Sequence, residues 1–312
     1  MRYIIMGTGG VGGFFGGKLA ASGEDVWFIA RGKHLDAMKD HGLRIKSTAG
    51  DFTIPPGKIT DNAIPIGRAD VVLFCVKSHD TESGANLLAP LLSDDSIVIT
   101  LQNGIDNVEK IRSRIAHGHV YGGAAYVSAR ISAPGEITES GGFQRIVFGP
   151  VGEALNPRAR DVHESFLRAG IKSQLQDDIT KELWSKYIFI ASMGALTALS
   201  RLSHGEILSN DRTRLLMFDA MREVQALAWK QGIDVKPVNE ARVLEGLKRF
   251  DSETRSSMYF DLIAGKPMEI EALNGTVVRL GERLGVPTPI HRVIYAALLP
   301  YHIKHTQQHS KQ

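Results

Sequence analysis

The chain changes its hydrophobic rhythm once. Up to about residue 177, short apolar runs closed by turn residues alternate with amphipathic stretches, and beyond that point helical periodicity runs nearly to the end. The first half predicts strands at Arg2–Met6, Asp25–Ala30, Asp70–Val76, Ser96–Leu101, His119–Ala125 and Ile171–Gln176. Helices are predicted between them at Val11–Ala21, Leu35–His41 and Pro157–Ala169. Leu43–Ile54 reads as a hairpin turning at Ala49, Gly50 and Asp51, and Gly135–Glu139 with Arg145–Phe148 as an antiparallel pair. Asp70–Val76 is apolar without alternation, as a strand covered on both faces of a parallel sheet should be.

The second half predicts helices from about Thr180, from Asp211 to Gln231, from Val238 to Phe250, from Glu269 to Leu284 and from Ile290 to Ile303. Ser256, Ser257 and Met258 open a further segment that Lys266-Pro267 interrupts, and Gly285, Pro287 and Pro289 stop the helix before the last one. Gly275, inside Ala272-Leu273-Asn274-Gly275, implies close helix packing. Two domains follow, 1–177 and 178–312. Lys186, Ile190 and Gly194 share one helix face, whose neighbours are mainly Phe189, Met193 and Thr197. A lysine on such a face either gives up protons easily near neutral pH, because burial disfavours its charge, or snorkels to solvent.

Between the first strand and the first helix stand Gly7, Thr8, Gly9, Gly10, Val11 and Gly12, in the spacing G-x-G-x-x-G. Gly7 permits the tight turn out of the strand, Gly9 lets a pyrophosphate approach the backbone, and Gly12 lets helix and strand pack closely. The free N–H groups at the helix start favour the anion. A glycine-rich turn with no ligand is the bland alternative, but strand before, helix after and a second strand near residue 25 are the context that dinucleotide binding requires. The fold class is therefore α/β, an amino-terminal Rossmann-type doubly wound sheet with an all-α carboxyl-terminal domain. The second strand ends without an acidic residue and offers Arg31, with Lys33 nearby. A guanidinium there suits a 2′-phosphate, so NADP (NADPH) is expected rather than NAD, unless Arg31 is only a surface charge. Lys77 lies at the carboxyl end of its strand, where ligands of such sheets bind, although a lysine after a strand is also a common solvated residue. Asn103 can orient a substrate oxygen, or Asn103-Gly104 simply makes a turn.

Composition narrows the class without adding chemistry. Of 312 residues, 43% are hydrophobic and 23% charged, and the net charge of +3 is too small and too scattered to point to nucleic acid. No apolar stretch reaches membrane-spanning length, and Met1 leads straight into a strand without room for a signal peptide, so a cytoplasmic protein with no membrane association is expected. The one cysteine, Cys75, excludes an intrachain disulfide and reads as a buried small residue. His204 and His291 read as structural, no histidine pair has metal-ligand spacing, and the terminal HIKHTQQHSKQ reads as a frayed polar end, not a metal site.

Taken together, these residues resemble the ketopantoate reductase (2-dehydropantoate 2-reductase) family. The resemblance rests on the glycine fingerprint, the Lys77 corner, Leu101-Gln102-Asn103-Gly104, Trp184-Ser185-Lys186 with Leu196-Thr197-Ala198, and Ser256-Ser257-Met258 followed by Glu269-Ile270-Glu271 and Asn274-Gly275. It implies an active site in the cleft between a Rossmann and a helical domain, and NADPH-dependent reduction of 2-dehydropantoate to pantoate, a step towards pantothenate and coenzyme A. It implies Lys186 as general acid, Asn103 near nicotinamide and substrate oxygen, and Ser257 on the substrate carboxylate. Glu269 matches the acidic partner that orders the site, Arg31 the 2′-phosphate contact and Lys77 a cofactor contact.

In well-known members, asparagines four and eight residues after the lysine help hold the substrate. Here those positions are Ile190 and Gly194, and Asp80 stands where some members have a glutamine. The substrate expected is a small 2-oxo acid: 2-dehydropantoate, or another, more apolar one. A non-catalytic NADP-binding sensor would keep the fingerprint and Arg31 but has no need of Lys186, Ser257 and Glu269. A dehydrogenase of another family would make those matches accidental. A homodimer through the helical half stays open.

Overall fold

The computed structural model describes residues 1–248 and 250–309. The chain divides into two compact units: residues Met1–Gln102 with Asp106–Thr180, and Asn103–Ile105 with the residues from Lys181 on. The three residues of the second unit that come from the first half are not foreseen by one boundary at 178.

The first unit runs β1 (Arg2–Met6), α1 (Gly10–Ala21), β2 (Asp25–Ile29), α2 (Gly32–His41), β3 (Leu43–Lys46), β4 (Phe52–Ile54), β5 (Ile59–Thr60), β6 (Val71–Phe74), α3 (Thr81–Leu88), β7 (Ile97–Thr100), α4 (Asn107–Arg112), β8 (His119–Ala133), β9 (Glu136–Pro150), α5 (Arg158–Arg168) and β10 (Lys172–Leu175). The strands form one sheet in the order β4-β3-β9-β8-β7-β6-β1-β2-β5, with β10 also on β9. The pairs among β5, β2, β1, β6, β7 and β8 are all parallel.

The continuous apolar runs have a direct cause. Successive side chains of a strand point to opposite faces, and both faces here are covered. Tyr3, Ile5, Val71, Leu73, Ile97 and Ile99 pack into one core, while Ile4, Met6, Val72, Phe74 and Val98 pack into another. α1 lies on the first face, where Phe14 and Phe15 are fully buried. Burial of each such side chain stabilises the fold by about 1.5–3 kcal/mol.

One prediction fails in this unit. The segments 135–139 and 145–148 are successive parts of β9, and both pair with β8 instead of with each other. Gly141 and Gly142, at φ +87° and +68°, sit in a bulge where Val127 alone faces residues 141–144. A glycine pair that resembles a turn in sequence is here an irregularity inside a long ribbon.

The helices from the unit boundary on are α6 (Thr180–Ser200), α7 (His204–Ser209), α8 (Asp211–Lys230), α9 (Glu240–Leu247), α10 (Ser257–Ile263), α11 (Thr276–Leu284) and α12 (Pro289–His309). Their core joins Trp184, Tyr187 and Ala191 of α6 to Met217, Phe218, Met221 and Val224 of α8, and to Ile270, Leu273 and Val277. α7 is not foreseen. Its start carries a reciprocal cap, the Ser203 hydroxyl accepting from the Glu206 N–H at 3.2 Å and the Ser203 N–H donating to Glu206 Oε2 at 2.6 Å, and that S-x-x-E spacing is the available signal.

The terminal histidines also correct expectation. α12 continues to His309, and His302 Nδ1 accepts from the Met268 N–H at 3.2 Å while His305 Nδ1 lies 3.1 Å from the Lys266 carbonyl. Residues 310–312 of that predicted frayed end lie outside the described residues. His204 sits edge-on between Phe189 and Phe250, and burial pushes its pKa down to about 4. His291 Nδ1 lies 2.8 Å from Glu223 Oε2, and the same carboxylate takes the N–H groups of Ile290 and His291 at the start of α12. Among the described residues, no helix is long and apolar enough to cross a membrane.

Candidate active site

The glycine loop shows which of its residues serve the fold and which leave space for a ligand. Gly7 has φ +95°, and a Cβ there would stand 2.8 Å from the Val76 nitrogen. A Cβ on Gly12 would stand 2.3 Å from the Gly7 carbonyl oxygen, so α1 could not start where it does. Gly10 would strike the Ala129 carbonyl oxygen at 2.1 Å. Gly9, the N-cap of α1, is different: a Cβ there would meet nothing within 4 Å. No side chain caps α1 either. Open space at Gly9, beside uncapped N–H groups, fits a pyrophosphate on the backbone. Thr8 is turned inward, with its N–H and hydroxyl donating to the Ile29 carbonyl at 3.0 and 2.9 Å, which ties the loop to the end of β2. Val11, the remaining loop residue, packs against the first core.

Arg31 lies just past β2, as the sequence implies, but its guanidinium is bonded to the Asp80 carboxylate. Nothing in the run of residues after β2 signals that partner. Lys77 follows β6 and is half-buried. Its corner is held by Gln102, whose Nε2 donates to the Val76 carbonyl at 3.0 Å and to Thr81 Oγ1 at 2.8 Å, while its Oε1 accepts from the Thr100 hydroxyl at 2.9 Å. A buried amide thus pins the residues after β6 to the end of β7. Asn103, the next residue, is half-buried and belongs to the second unit. Cys75 is partly buried, and its surroundings push the thiol pKa well up, which disfavours the thiolate a nucleophile needs.

In the helical unit Glu182 and Lys186 stand one turn apart on α6. Lys186 has its pKa brought down from 10.5 to about 8, chiefly because burial disfavours the ammonium, while the carboxylates of Glu269 and Glu182 work the other way. Glu269 is itself only 8% exposed. Glu182, one turn before Lys186, is missed by sequence reasoning although the i, i+4 spacing is visible.

The segment bearing Glu269 is bolted to α6. Residues Glu271–Gly275 form a π-turn, in which the Gly275 N–H donates to the Ile270 carbonyl at 2.9 Å. The wider turn still finds partners: the Tyr187 hydroxyl donates to the Leu273 carbonyl at 2.6 Å, and Asn274 Nδ2 to the Ala191 carbonyl at 3.1 Å. The helix predicted from Glu269 therefore opens on a π-turn, a device frequent at functional sites. The close approach expected at Gly275 is real, since a Cβ there would lie 2.8 Å from Glu271 Oε2 and 3.0 Å from Tyr295 Cε2.

Ser257 is exposed, at the first position of α10. Its neighbour Ser256 caps that helix and fixes it to α6, donating to the Gly194 carbonyl at 2.8 Å and accepting from the Thr197 hydroxyl at 2.7 Å. Ile190 and Gly194 are half-buried and bring no side-chain hydrogen-bonding group to the face of Lys186. Among the described residues, no three His, Cys, Asp or Glu side chains group as a metal site.

Comparison with known proteins gives the family and the fold. The family model described as "Ketopantoate reductase PanE/ApbA" matches residues 3–153, and that for the family's C-terminal part matches 178–302. The 2-dehydropantoate 2-reductase of Mesorhizobium japonicum is 31% identical over 310 residues, covering 93% of this chain and 94% of that protein. The crystal structure of a PanE/ApbA family ketopantoate reductase from Ralstonia eutropha JMP134 superposes with a TM-score of 0.89 at 32% identity, over 98% of this chain and 100% of that one. D-mandelate dehydrogenase, solved with NADH and anilino(oxo)acetate, shares the fold with a TM-score of 0.90 at 21% identity, over 98% and 100% of the two chains.

Proposed function

The chain is an oxidoreductase of the ketopantoate reductase family, and on that premise we propose that it reduces 2-dehydropantoate to pantoate, with NADPH as reductant and Lys186 as proton donor. The observation that carries this reading is the Lys186 amine, whose pKa of about 8 leaves it mostly protonated at neutral pH yet ready to give up the proton. A dinucleotide held through its pyrophosphate by the glycine loop would supply the hydride for the keto carbon. Lys186 Nζ gives its proton to the carbonyl oxygen as the C=O double bond becomes a C–O single bond, and the neutral amine then regains a proton from solvent. Glu269 keeps the ammonium form populated against its burial. Ser257 and Asn103 hold the carboxylate and the keto oxygen in position. Gly7, Thr8, Gly9, Gly10, Val11 and Gly12 form the pyrophosphate cradle, and Arg31 and Lys77 are the cationic contacts to the cofactor.

Ile190 and Gly194 support a second reading of the substrate. A pocket built to hydrogen-bond a hydroxyl discriminates strongly, and losing those partners relaxes or redirects the choice. On this reading the chain reduces a 2-oxo acid with a more apolar side chain by the same steps. NADPH oxidation with 2-dehydropantoate, beside a panel of 2-oxo acids with aliphatic and aromatic side chains, separates the two. Turnover of 2-dehydropantoate as the best substrate upholds the first reading, and turnover of an apolar acid alone moves to the second. Binding of NADPH without turnover of any of them overturns both.

A further inference from the structure

Arg31 and Asp80 reach each other across β1. The sheet order sets β1 between β2 and β6; Arg31 follows β2 and Asp80 follows β6. Their ion pair therefore passes over the carboxyl end of β1, where the glycine loop begins. Asp80 is the anchored partner. Its side chain is 22% exposed against 80% for Arg31, and its N–H donates to the Lys77 carbonyl at 2.8 Å while its own carbonyl accepts the Ser83 hydroxyl at 3.1 Å. His79 Nε2 lies 3.8 Å from the same carboxylate.

We propose that Asp80 is a cofactor-selectivity residue, which occupies Arg31 and presents a carboxylate to the adenosine ribose, so that the chain accepts NADH as well as NADPH. The proposal rests on the dinucleotide reading of the glycine loop and deepens it. A 2′-phosphate that engages Arg31 must displace Asp80 and then stay close to its negative charge, and like charges at that range repel. A ribose 2′-hydroxyl carries no such penalty. It can donate to Asp80, the interaction that NAD enzymes obtain from an acidic residue at the end of the second strand. In this chain the acid comes from the segment after β6, so the residues after β2 alone point to NADP. An exposed ion pair is weak, so Asp80 sets a balance between the two cofactors and does not close the site to either.

Dissociation constants for NADPH and NADH, measured by nicotinamide fluorescence on the full chain without substrate, test the assignment in the unaltered protein, D80N and R31A. The D80N change keeps the shape of the side chain and removes its charge. The unaltered protein should bind both dinucleotides, with dissociation constants within about tenfold of each other. D80N should shift the ratio towards NADPH by about tenfold, and R31A should shift it towards NADH. Binding of both with a ratio that D80N leaves unchanged overturns this proposal alone, as does an unaltered protein that binds NADPH and excludes NADH. If neither dinucleotide binds the unaltered protein, the dinucleotide reading falls and this proposal with it.

Discussion

The glycine loop and the Lys186 face of α6 are built by opposite means. The loop is shaped by lacking side chains: a Cβ on Gly12 would stand 2.3 Å from the Gly7 oxygen, and a Cβ on Gly9 would meet nothing within 4 Å. The α6 face brings charged side chains into partial burial, where an amine loses proton affinity and a carboxylate restores part of it. Binding an anion on backbone N–H groups needs close approach and no charge from the chain. Moving a proton needs a group whose two protonation states lie close in free energy. The first demand is local in sequence, whereas the second joins residues as far apart as 186 and 269.

The sharpest way to break this contrast is to remove the amine. Lys186→Met should lower kcat by about 10²–10⁴-fold, the range for a positioned general acid, while NADPH still binds. Unchanged turnover would remove Lys186 from the chemistry. The same variant has a second signature. The folded pKa of about 8 lies below the ordinary 10.5, so between those values the unfolded chain binds more protons and stability rises with pH. Below about pH 8 the desolvation penalty is present in full. Lys186→Met should therefore raise thermal stability at pH 7 and abolish this rise between pH 8 and 10.5, as melting curves across that range would show.

Next in size are two glycine substitutions that the contrast sets apart. Gly12→Ala forces a methyl against backbone, so it should cost about 1–3 kcal/mol of stability, with dinucleotide affinity falling as well. Gly9→Ala adds a methyl to open space, so the melting temperature should hold while NADPH affinity drops about tenfold or more. Full affinity in Gly9→Ala would show that the open space is not where the pyrophosphate sits.

A smaller effect separates the Glu269 carboxylate from the amine. With Lys186 as the proposed proton donor, kcat should fall as pH rises through about 8. Glu269→Gln removes the charge that raises this pKa. The falling limb should then move to lower pH. A limb that stays in place would leave Glu269 with a packing role only.

These differences also explain what could be read in sequence. β1, β6 and β7 were legible because burial on both faces leaves Ile4, Ile5 and Met6, Val71 to Phe74, and Ile97, Val98 and Ile99 as unbroken apolar runs, and the loop because its glycines stand in the G-x-G-x-x-G spacing between a strand and a helix. The β8–β9 ribbon was not legible, since Gly141-Gly142 in a bulge looks the same as in a turn. The π-turn after Glu269 was hidden because its one-residue widening barely alters the apolar pattern. Lys186 stood out by spacing alone, but Glu269 came only through resemblance, and Asp80 as the partner of Arg31 came only from the fold. Contacts that cross between elements leave no mark in the local rhythm of either.

The smallest expected effect tests a glycine that fits neither pattern. Gly194 lies inside α6, where glycine is less favourable than alanine by about 0.5–1 kcal/mol. A Cβ there would lie 3.7 Å from Ser256 Cβ, an ordinary contact, so the fold has room for it. Gly194→Ala should therefore stabilise the helical unit by about 0.5–1 kcal/mol. If the space beside Gly194 is kept for the substrate's side chain, KM for the preferred 2-oxo acid should rise at the same time, with kcat for saturating substrate little changed. A gain in stability with KM unaltered would mean that the substrate lies elsewhere and that Gly194 does not account for any redirected specificity.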